Sequence, residues 1–385
     1  MEKRLFVTMM VNCNALGITK DVGQIPYSMY KYHGYNSYLV TYNNDDYQKW
    51  IDEYTPGIKV KYLKKRSENS EFFDEVRFLF VNAKKIDVLN MYHMSVEHLI
   101  CLCIYKILNP RGISYLKLDI DYQGLDGHSK LAKWKKKIIA FLHQGVDIIS
   151  AESSIACEKY DDIFGIKPIY IPSGFADIQV EPDALNLAKK ISKEKIIITA
   201  GRLGTKQKAT EVLLEAFAKA QNVNNWRLVL AGPVTKELKE WLQKFYDNNP
   251  NIKDKVIFTG NITDKNELYN LMGKSSIFAL PSRWGGSEIA AVEALSEGNY
   301  LILSEGVPPC EEYTNHGKYG ITVPADNIDA WADAIDNAII KLSSGYDYID
   351  ASNYGKSNFN WKNITQKLAD TIKENNDKNK KTIGI

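Results

Sequence analysis

Short apolar runs recur along the chain, each followed by a longer stretch whose apolar positions fall three and four residues apart. Leu5–Val11, Ser37–Tyr42, Ile86–Tyr92, Ile113–Asp119, Val146–Ala151 and Pro168–Pro172 read as strands. The amphipathic segments Val22–Tyr32, Phe72–Lys84, Val96–Leu108 and Ser129–His143 read as helices between them. Such alternation predicts parallel strands joined by crossover helices, an α/β fold. The pattern then restarts. Lys195–Ala200, Trp226–Ala231, Val256–Thr259, Ile277–Pro281 and Tyr300–Ser304 read as a second set of strands. Gln207–Ala220, Lys236–Tyr246, Glu288–Glu297 and Ile328–Leu342 read as their helices. The two series share architecture but no sequence period, so the chain is not a repeat protein.

Ser173–Lys193, with its Gly, Pro and charged residues, divides the two series as a linker. The predicted organisation is therefore a first domain over 1–175, a second over 176–356, a closing helix over 357–376 and a frayed tail over 377–385. Open parallel sheets bind ligands beyond the carboxyl ends of their strands, so two such domains facing each other would share a cleft.

Composition narrows the class. A chain of 385 residues with 44% hydrophobic and 25% charged residues is long enough for two cores and is not disordered in character. The formal net charge of +2 gives no global signal for a nucleic-acid partner. Cys13, Cys101, Cys103, Cys157 and Cys310 form no C-x-x-C pair and no zinc spacing, and read as reduced cytoplasmic thiols. The amino-terminal run Leu5–Val11 is short and is followed by Asn12 and Asn14, which favours a buried strand over a signal peptide. No apolar run is long enough to span a bilayer.

Two segments of the second series carry candidate chemistry. In Ile196–Phe217 a strand ends at Gly201, a loop follows with Arg202, Lys206 and Lys208, and a helix opens near Gln207. A helix amino terminus offers unpaired N–H groups and partial positive charge to phosphate. Arg can grip a diphosphate in bidentate fashion and Lys adds a compact charge. Spacing alone is equally compatible with a solvated turn. In Ala279–Leu295 a strand ends at Pro281, Gly285 and Gly286 form a turn, and a helix starts near Ser287 with Ile289, Val292 and Leu295 toward the core. Glu293 lies in its second turn, where a carboxylate could accept two ribose hydroxyls or simply face solvent.

Taken together these segments resemble glycosyltransferase family 4, the retaining family with the GT-B fold. The resemblance rests on Gly201-Arg-Leu with Lys208, Ala231-Gly-Pro, Thr259-Gly-Asn, Leu280-Pro-Ser-Arg, Glu293-Ala-Leu, Gly320-Ile-Thr-Val-Pro and Phe359-Asn-Trp361. Upstream, Gly17-Ile-Thr-Lys-Asp-Val-Gly23 and Ile171-Pro-Ser-Gly174 match more loosely. The resemblance implies two Rossmann-like domains with a cleft between them, and a closing helix that crosses back onto the first. It implies that Arg202 and Lys208 bind the donor diphosphate and act in catalysis. Glu293 would hold the donor ribose as the second glutamate of the E-x7-E motif. Gly17, Gly201, Gly286, Ser287, Glu288 and Ile289 would line the donor site, with Asn261 and Ile262 meeting the nucleobase. The first motif glutamate is replaced by Gly285. Glu288 either substitutes for it or complements the dipole of the following helix.

The first series gives weaker signals. Asp119 and Asp121 end a strand in a D-x-D arrangement. Two carboxylates on one strand face need further oxygen ligands to hold a divalent ion, and the resemblance implies a metal-independent enzyme without cofactor. It makes Asp119 the candidate polar residue beside the reacting sugar, with Asp121 second on the acceptor side; either could instead cap the next loop. His93 points toward the cleft if its strand is read correctly, or is a buried hydrogen-bonded histidine. Gly17 and Gly23 could let the first loop approach the donor, with Lys20 and Asp21 as further contacts, or serve as plain turn and helix-start glycines. Ser129–His143 sets Lys130, Lys133, Lys135, Lys136 and Lys137 around Trp134, with Leu131, Ile138, Ile139 and Leu142 available for burial. Such a helix can lie on an anionic membrane or pack on a core with a solvated lysine face.

The function implied is a retaining hexosyltransferase using a nucleoside diphosphate sugar, a UDP-sugar first. The acceptor would be a glycan, a lipid-linked or a protein-linked group in bacterial surface polysaccharide or glycoconjugate synthesis. The protein would be cytoplasmic, with peripheral contact at the inner membrane face. Gly285 leaves open a non-catalytic GT-B protein that binds glycans or stabilises a partner. A dinucleotide oxidoreductase lacks support, since no G-x-G-x-x-G follows a strand and no acidic residue stands at the expected distance.

Overall fold

The computed structural model describes residues 3–43, 47–175 and 193–383, with side chains to residue 379. The chain divides into two compact units, Met1–Ile178 with Phe359–Ile385, and Gln179–Asn358. Most of the predicted linker lies outside the described residues.

The first unit holds a seven-stranded parallel sheet. Its strands are β1 (Leu5–Met9), β2 (Asn36–Tyr42), β3 (Lys59–Leu63), β4 (Val88–Tyr92), β5 (Ile113–Lys117), β6 (Ile148–Ala151) and β7 (Ile169–Tyr170), in the order β3-β2-β1-β4-β5-β6-β7. The period-two alternation of strand side chains divides the core between the two faces. Phe6, Val88 and Tyr115 pack with Trp361, Ile364 and Leu368 on one face. Val7, Leu89 and Leu116 pack with Leu79, Leu102 and Tyr160 on the other. The Trp361–Ile383 helix is thus part of this unit's core. It runs to Ile383, past the expected fraying point at 377, because neither Gly nor Pro interrupts it before Gly384.

The second unit holds a six-stranded parallel sheet. Its strands are β8 (Glu194–Ala200), β9 (Arg227–Ala231), β10 (Val256–Gly260), β11 (Ser275–Leu280), β12 (Tyr300–Ser304) and β13 (Gly320–Val323), in the order β10-β9-β8-β11-β12-β13. Ile197, Leu228, Ile277 and Ile302 form its core with Leu213, Phe217 and the fully buried Trp331. In each sheet the strand order reverses beside the first strand, between β1 and β4 and between β8 and β11. Ligand crevices of doubly wound sheets open at that switch point, beyond the carboxyl ends.

Sequence periodicity missed several elements. Strand β3 and the Tyr47–Tyr54 helix lie at the sheet edge, where Lys59-Val-Lys-Tyr-Leu is largely exposed and carries no apolar run. The helix expected over Ser129–His143 is shorter, Lys133–Leu142, and is preceded by an unanticipated helix, Tyr122–Ser129. The polar Tyr348–Asn358 segment is a separate helix, because Gly355 lets it lie against the backbone of Leu295. The Ser154–Phe164, Lys265–Lys274 and short Cys310–Thr314 helices and strand β13 were also unanticipated.

Candidate active site

The loops that follow β8 and β11, the two strands flanking the switch point of the second unit, are the two segments that carry the candidate donor chemistry. At the end of β8, Gly201 adopts φ +155° and Gly232, at the end of β9, φ +144°. A Cβ on Gly232 would stand 1.8 Å from the Gly201 carbonyl oxygen, so only glycine allows these strand ends to come together. The stem of Lys208 passes over Gly201, where a Cβ would touch its Cε at 3.4 Å.

The loop then turns through Gly204 at φ +84°, and the helix begins at Thr210, three residues later than expected. Lys208 sits before that helix and donates to Glu288 Oε2 at 2.5 Å. Their side chains are only 13% and 11% exposed. Glu288 is therefore buried at the N-cap position of the following helix, where its charge also complements the helix dipole. It precedes the Ile289–Ser296 helix and its Oε1 stands 2.5 Å from where a Cβ of Gly285 would be. The absence of a side chain at 285 and the inward fold of Glu288 are one feature, since the Glu288 carboxylate fills the space that a residue at 285 would need. Arg202 is exposed and donates to Gln207 Oε1 at 2.8 Å.

Glu293 is buried at 4% exposure, which rules out the solvent-facing alternative. It accepts from Lys265 Nζ at 2.6 Å and from Tyr269 Oη at 3.3 Å. Asn261 is exposed and Ile262 half-buried just past β10. Gly286, Ser287 and Ile289 are half-buried, and Ser287 Oγ lies 3.0 Å from Tyr313 Oη. Arg283 ties the two loops together, although sequence reasoning gave it no role. It donates to Asp326 at 2.6 Å, Glu211 at 2.7 Å and the Lys206 carbonyl at 2.8 Å. Gln207 adds a bond to the Trp284 carbonyl at 3.0 Å. Neither Arg283 nor Lys265 is detectable from local spacing, because their partners stand tens of residues away.

In the first unit, Asp119 and His93 stand just past β5 and β4, both with positive φ, +42° and +59°. Left-handed backbone at residues other than glycine is uncommon and clusters at functional sites. Their side chains approach within 3.9 Å, and both are about half exposed, so His93 is not a buried core histidine. Partial desolvation of its half-exposed ring lowers the His93 pKa, with the Glu152 charge opposing. Desolvation, then the nearby Asp21 charge, raises that of Asp119 even though its carboxylate keeps partial access to solvent.

A buried ionic cluster supports this turn. Lys117 is fully buried and donates to Glu152 at 2.7 Å and to the Ile171 carbonyl at 3.0 Å, with Asp21 at 3.2 Å. Glu152 in turn accepts from the Asp119 and Ile120 backbone N–H groups at 3.0 and 3.2 Å. Burial acts to lower the Lys117 pKa, and the two carboxylates outweigh it and hold the ammonium above its usual value.

The remaining first-unit candidates make the following local contacts. Asp121 accepts from Gly124 N at 2.8 Å and caps the Tyr122–Ser129 helix. Gly17 lies in a 3-10 turn against Cys13, where a Cβ would meet Sγ at 2.6 Å. Gly23 packs on the Ile18 backbone, where a Cβ would meet the carbonyl oxygen at 2.2 Å. Asp21 is spent on Lys117 and Ser173, while Lys20 is exposed. Among the described residues no group of His, Cys, Asp and Glu is placed to hold a metal ion, and no helix is long and apolar enough to cross a membrane.

The family model for glycosyl transferases group 1 matches residues 185–349. The match lies within the second unit. Similar curated proteins are GDP-mannose:cellobiosyl-diphosphopolyprenol alpha-mannosyltransferases. That of Xanthomonas oryzae pv. oryzae is 28% identical over 44% of this chain and 44% of its own length. That of Komagataeibacter xylinus is 27% identical over 46% and 44%. The chain thus spans less than half the length of the curated relatives it matches. Among solved structures, the Rickettsia africae glycosyltransferase superposes with a TM-score of 0.74 at 16% identity, covering 97% of this chain and 99% of that one. Anabaena Alr3699/HepE in complex with UDP gives 0.70 at 15%, covering 97% and 100%. The seven- and six-stranded parallel sheets are those of the GT-B fold, and the group 1 match falls on the unit that carries Arg202, Lys208 and Glu293.

Proposed function

We propose that the protein is a retaining glycosyltransferase that moves a hexosyl unit from a nucleoside diphosphate sugar to an acceptor. The observation that carries this is the Lys208–Glu288 ion pair, which joins the two loops at the switch point of the second unit, one carrying Arg202 and the other leading into the helix of Glu293. Arg202 and Lys208 would neutralise the diphosphate as it leaves, the main electrostatic demand of the reaction. Glu293 would exchange its bonds from Lys265 and Tyr269 for the two ribose hydroxyls. Glu288, freed when Lys208 turns to phosphate, would take the sugar contact that position 285 lacks. Asn261 and Ile262 would meet the base.

In a retaining, front-face displacement the glycosidic bond to the departing phosphate breaks as the acceptor oxygen attacks from the same side. The released phosphate oxygen takes the acceptor proton, so no strong protein base is required. Asp119 and His93 would orient the acceptor hydroxyl in the first unit. With two cationic side chains on the phosphates the chemistry requires no metal cofactor. A UDP-sugar is the first donor to test, since a related fold was solved with UDP, and GDP-mannose the second, since the curated relatives are named for it. Of the glycan, lipid-linked and protein-linked acceptors, the lipid-linked one is favoured by the curated relatives, which are named for a diphosphopolyprenol acceptor, and the protein would then work in the cytoplasm at the inner membrane face. The test is donor hydrolysis and transfer by wild type, Arg202→Ala and Lys208→Ala. Loss of turnover with an unchanged melting temperature supports the assignment, and normal turnover in both variants refutes it.

A further inference from the structure

Beginning at Met94, the residue after His93, the first unit opens a cavity of about 630 Å³. Met94 and Val96, which continue directly from His93, form one wall, and Leu131, Trp134, Ile138 and Ile139 form the other. Gly124 and Gly127 line it too, and a Cβ on Gly127 would meet nothing within 4 Å. The volume falls in the roughly 300–1,000 Å³ range of ligand sites. The Lys133–Leu142 helix buries only Ile139. Trp134, Ile138 and Phe141 stay 61%, 46% and 68% exposed, and Val96 is 41% exposed. The helix thus packs on the core through Ile139 and Leu142 with its lysines outward, and in addition leaves an apolar strip uncovered.

Along the helix side of this apolar surface the charge has one sign. No Asp or Glu occurs from Gly127 through Val146, whereas Lys130, Lys133, Lys135, Lys136 and Lys137 do. Lys130 is paired with Asp126, and Lys135 lines the cavity itself. An apolar trough with a cationic rim complements an anionic amphiphile, with hydrocarbon in the trough and phosphate against the lysines.

We propose that this groove binds the hydrocarbon chain of a phosphate-bearing lipid acceptor, and that Lys135 and its neighbours meet the phosphate. The chain would enter along Met94 and Val96, which leaves the head group of the same molecule beside His93 and Asp119. The proposal rests on the reading of the first unit as the acceptor side, and its test is independent of turnover.

Full-length protein is titrated with butyl, octyl and decyl phosphate below their micelle concentrations, followed by calorimetry. Decyl maltoside serves as a neutral control. Affinity should rise roughly fourfold per added methylene while the chain remains inside the groove. Ile138→Asp, at a position already exposed, should abolish binding of decyl phosphate. Lys135→Glu should weaken decyl phosphate at least tenfold and leave decyl maltoside unchanged. Near-ultraviolet circular dichroism and nucleotide-sugar titration of the same samples report folding and the donor site separately. Affinity that does not depend on chain length, or that survives Ile138→Asp, overturns the proposal. So does binding to phosphatidylglycerol vesicles without binding of any monomeric alkyl phosphate, which would make this face a bilayer-docking surface. Decyl phosphate binding in a protein that takes no nucleotide sugar would keep the groove and refute the transferase assignment.

Discussion

Glu288→Gln separates the two roles given to one carboxylate. In the free protein Glu288 holds Lys208 at 2.5 Å, with both side chains nearly nine-tenths buried. Two unit charges 4 Å apart at an effective dielectric near 20 interact by about 4 kcal/mol, and desolvation takes back part of it. The amide keeps a hydrogen bond but not the charge, so the net loss should be about 2 kcal/mol, or roughly 4–8 °C in the melting temperature of the unliganded protein. Lys208 is released by the same change. Bare UDP or GDP, whichever the wild type binds, should therefore bind several-fold more tightly. The sugar contact loses a charged acceptor worth about 1.5–3 kcal/mol, so turnover should fall about 10- to 100-fold. Thermal melts, calorimetry with the nucleoside diphosphate and initial rates of transfer read the three effects. Weaker nucleotide binding in Glu288→Gln, or unchanged turnover, would refute the reasoning.

Gly232→Ala should cost about 2–4 kcal/mol and impair donor binding, because its Cβ would collide with the Gly201 carbonyl; a wild-type melting curve contradicts this. Glu152→Gln should leave donor KM unchanged and raise acceptor KM, because it removes the group that holds the Asp119 turn; equal changes in both constants would indicate general unfolding. Glu75 is buried, and burial lifts its carboxyl to about 7, with His98 partly opposing. Its folded-state value lies above the unfolded one, so the stability it contributes is fully present below about pH 4.5 and is lost as pH rises toward 7. Glu75→Gln should flatten that decline, and denaturant melts at pH 5 and pH 8 should show a wild-type difference that the variant lacks.

The strands of both sheets were legible because buried parallel strands read as continuous apolar runs, Ile196–Ile198 and Leu301–Leu303 among them. Edge elements such as β3 were not, since Lys59 and Lys61 leave no such run. The donor loops were legible as residue types on strand ends, Gly201-Arg-Leu and Lys208 above all. Their wiring was not. That Glu288 occupies the space above Gly285, that Lys265 holds Glu293 and that Arg283 clamps the loops are facts of tertiary contact between distant positions. The acceptor side was less legible still. Asp119 and His93 were named, but their left-handed backbone and the Lys117–Glu152 pair beneath them leave no pattern in the sequence. For Gly17, Gly23 and Asp121 residue type left a ligand contact and a local role both open, and the structure shows the local packing and capping that each makes.

The central claim is that the second unit grips a nucleoside diphosphate sugar through Arg202, Lys208 and Glu293. Calorimetric titration of the full chain with UDP-glucose, UDP-galactose and GDP-mannose tests it most directly, alongside Lys208→Ala and Glu293→Ala. At least one sugar nucleotide should bind the wild type, with each variant weakened about 10- to 100-fold. No binding of any of the three, or equal binding by wild type and both variants, would contradict the account.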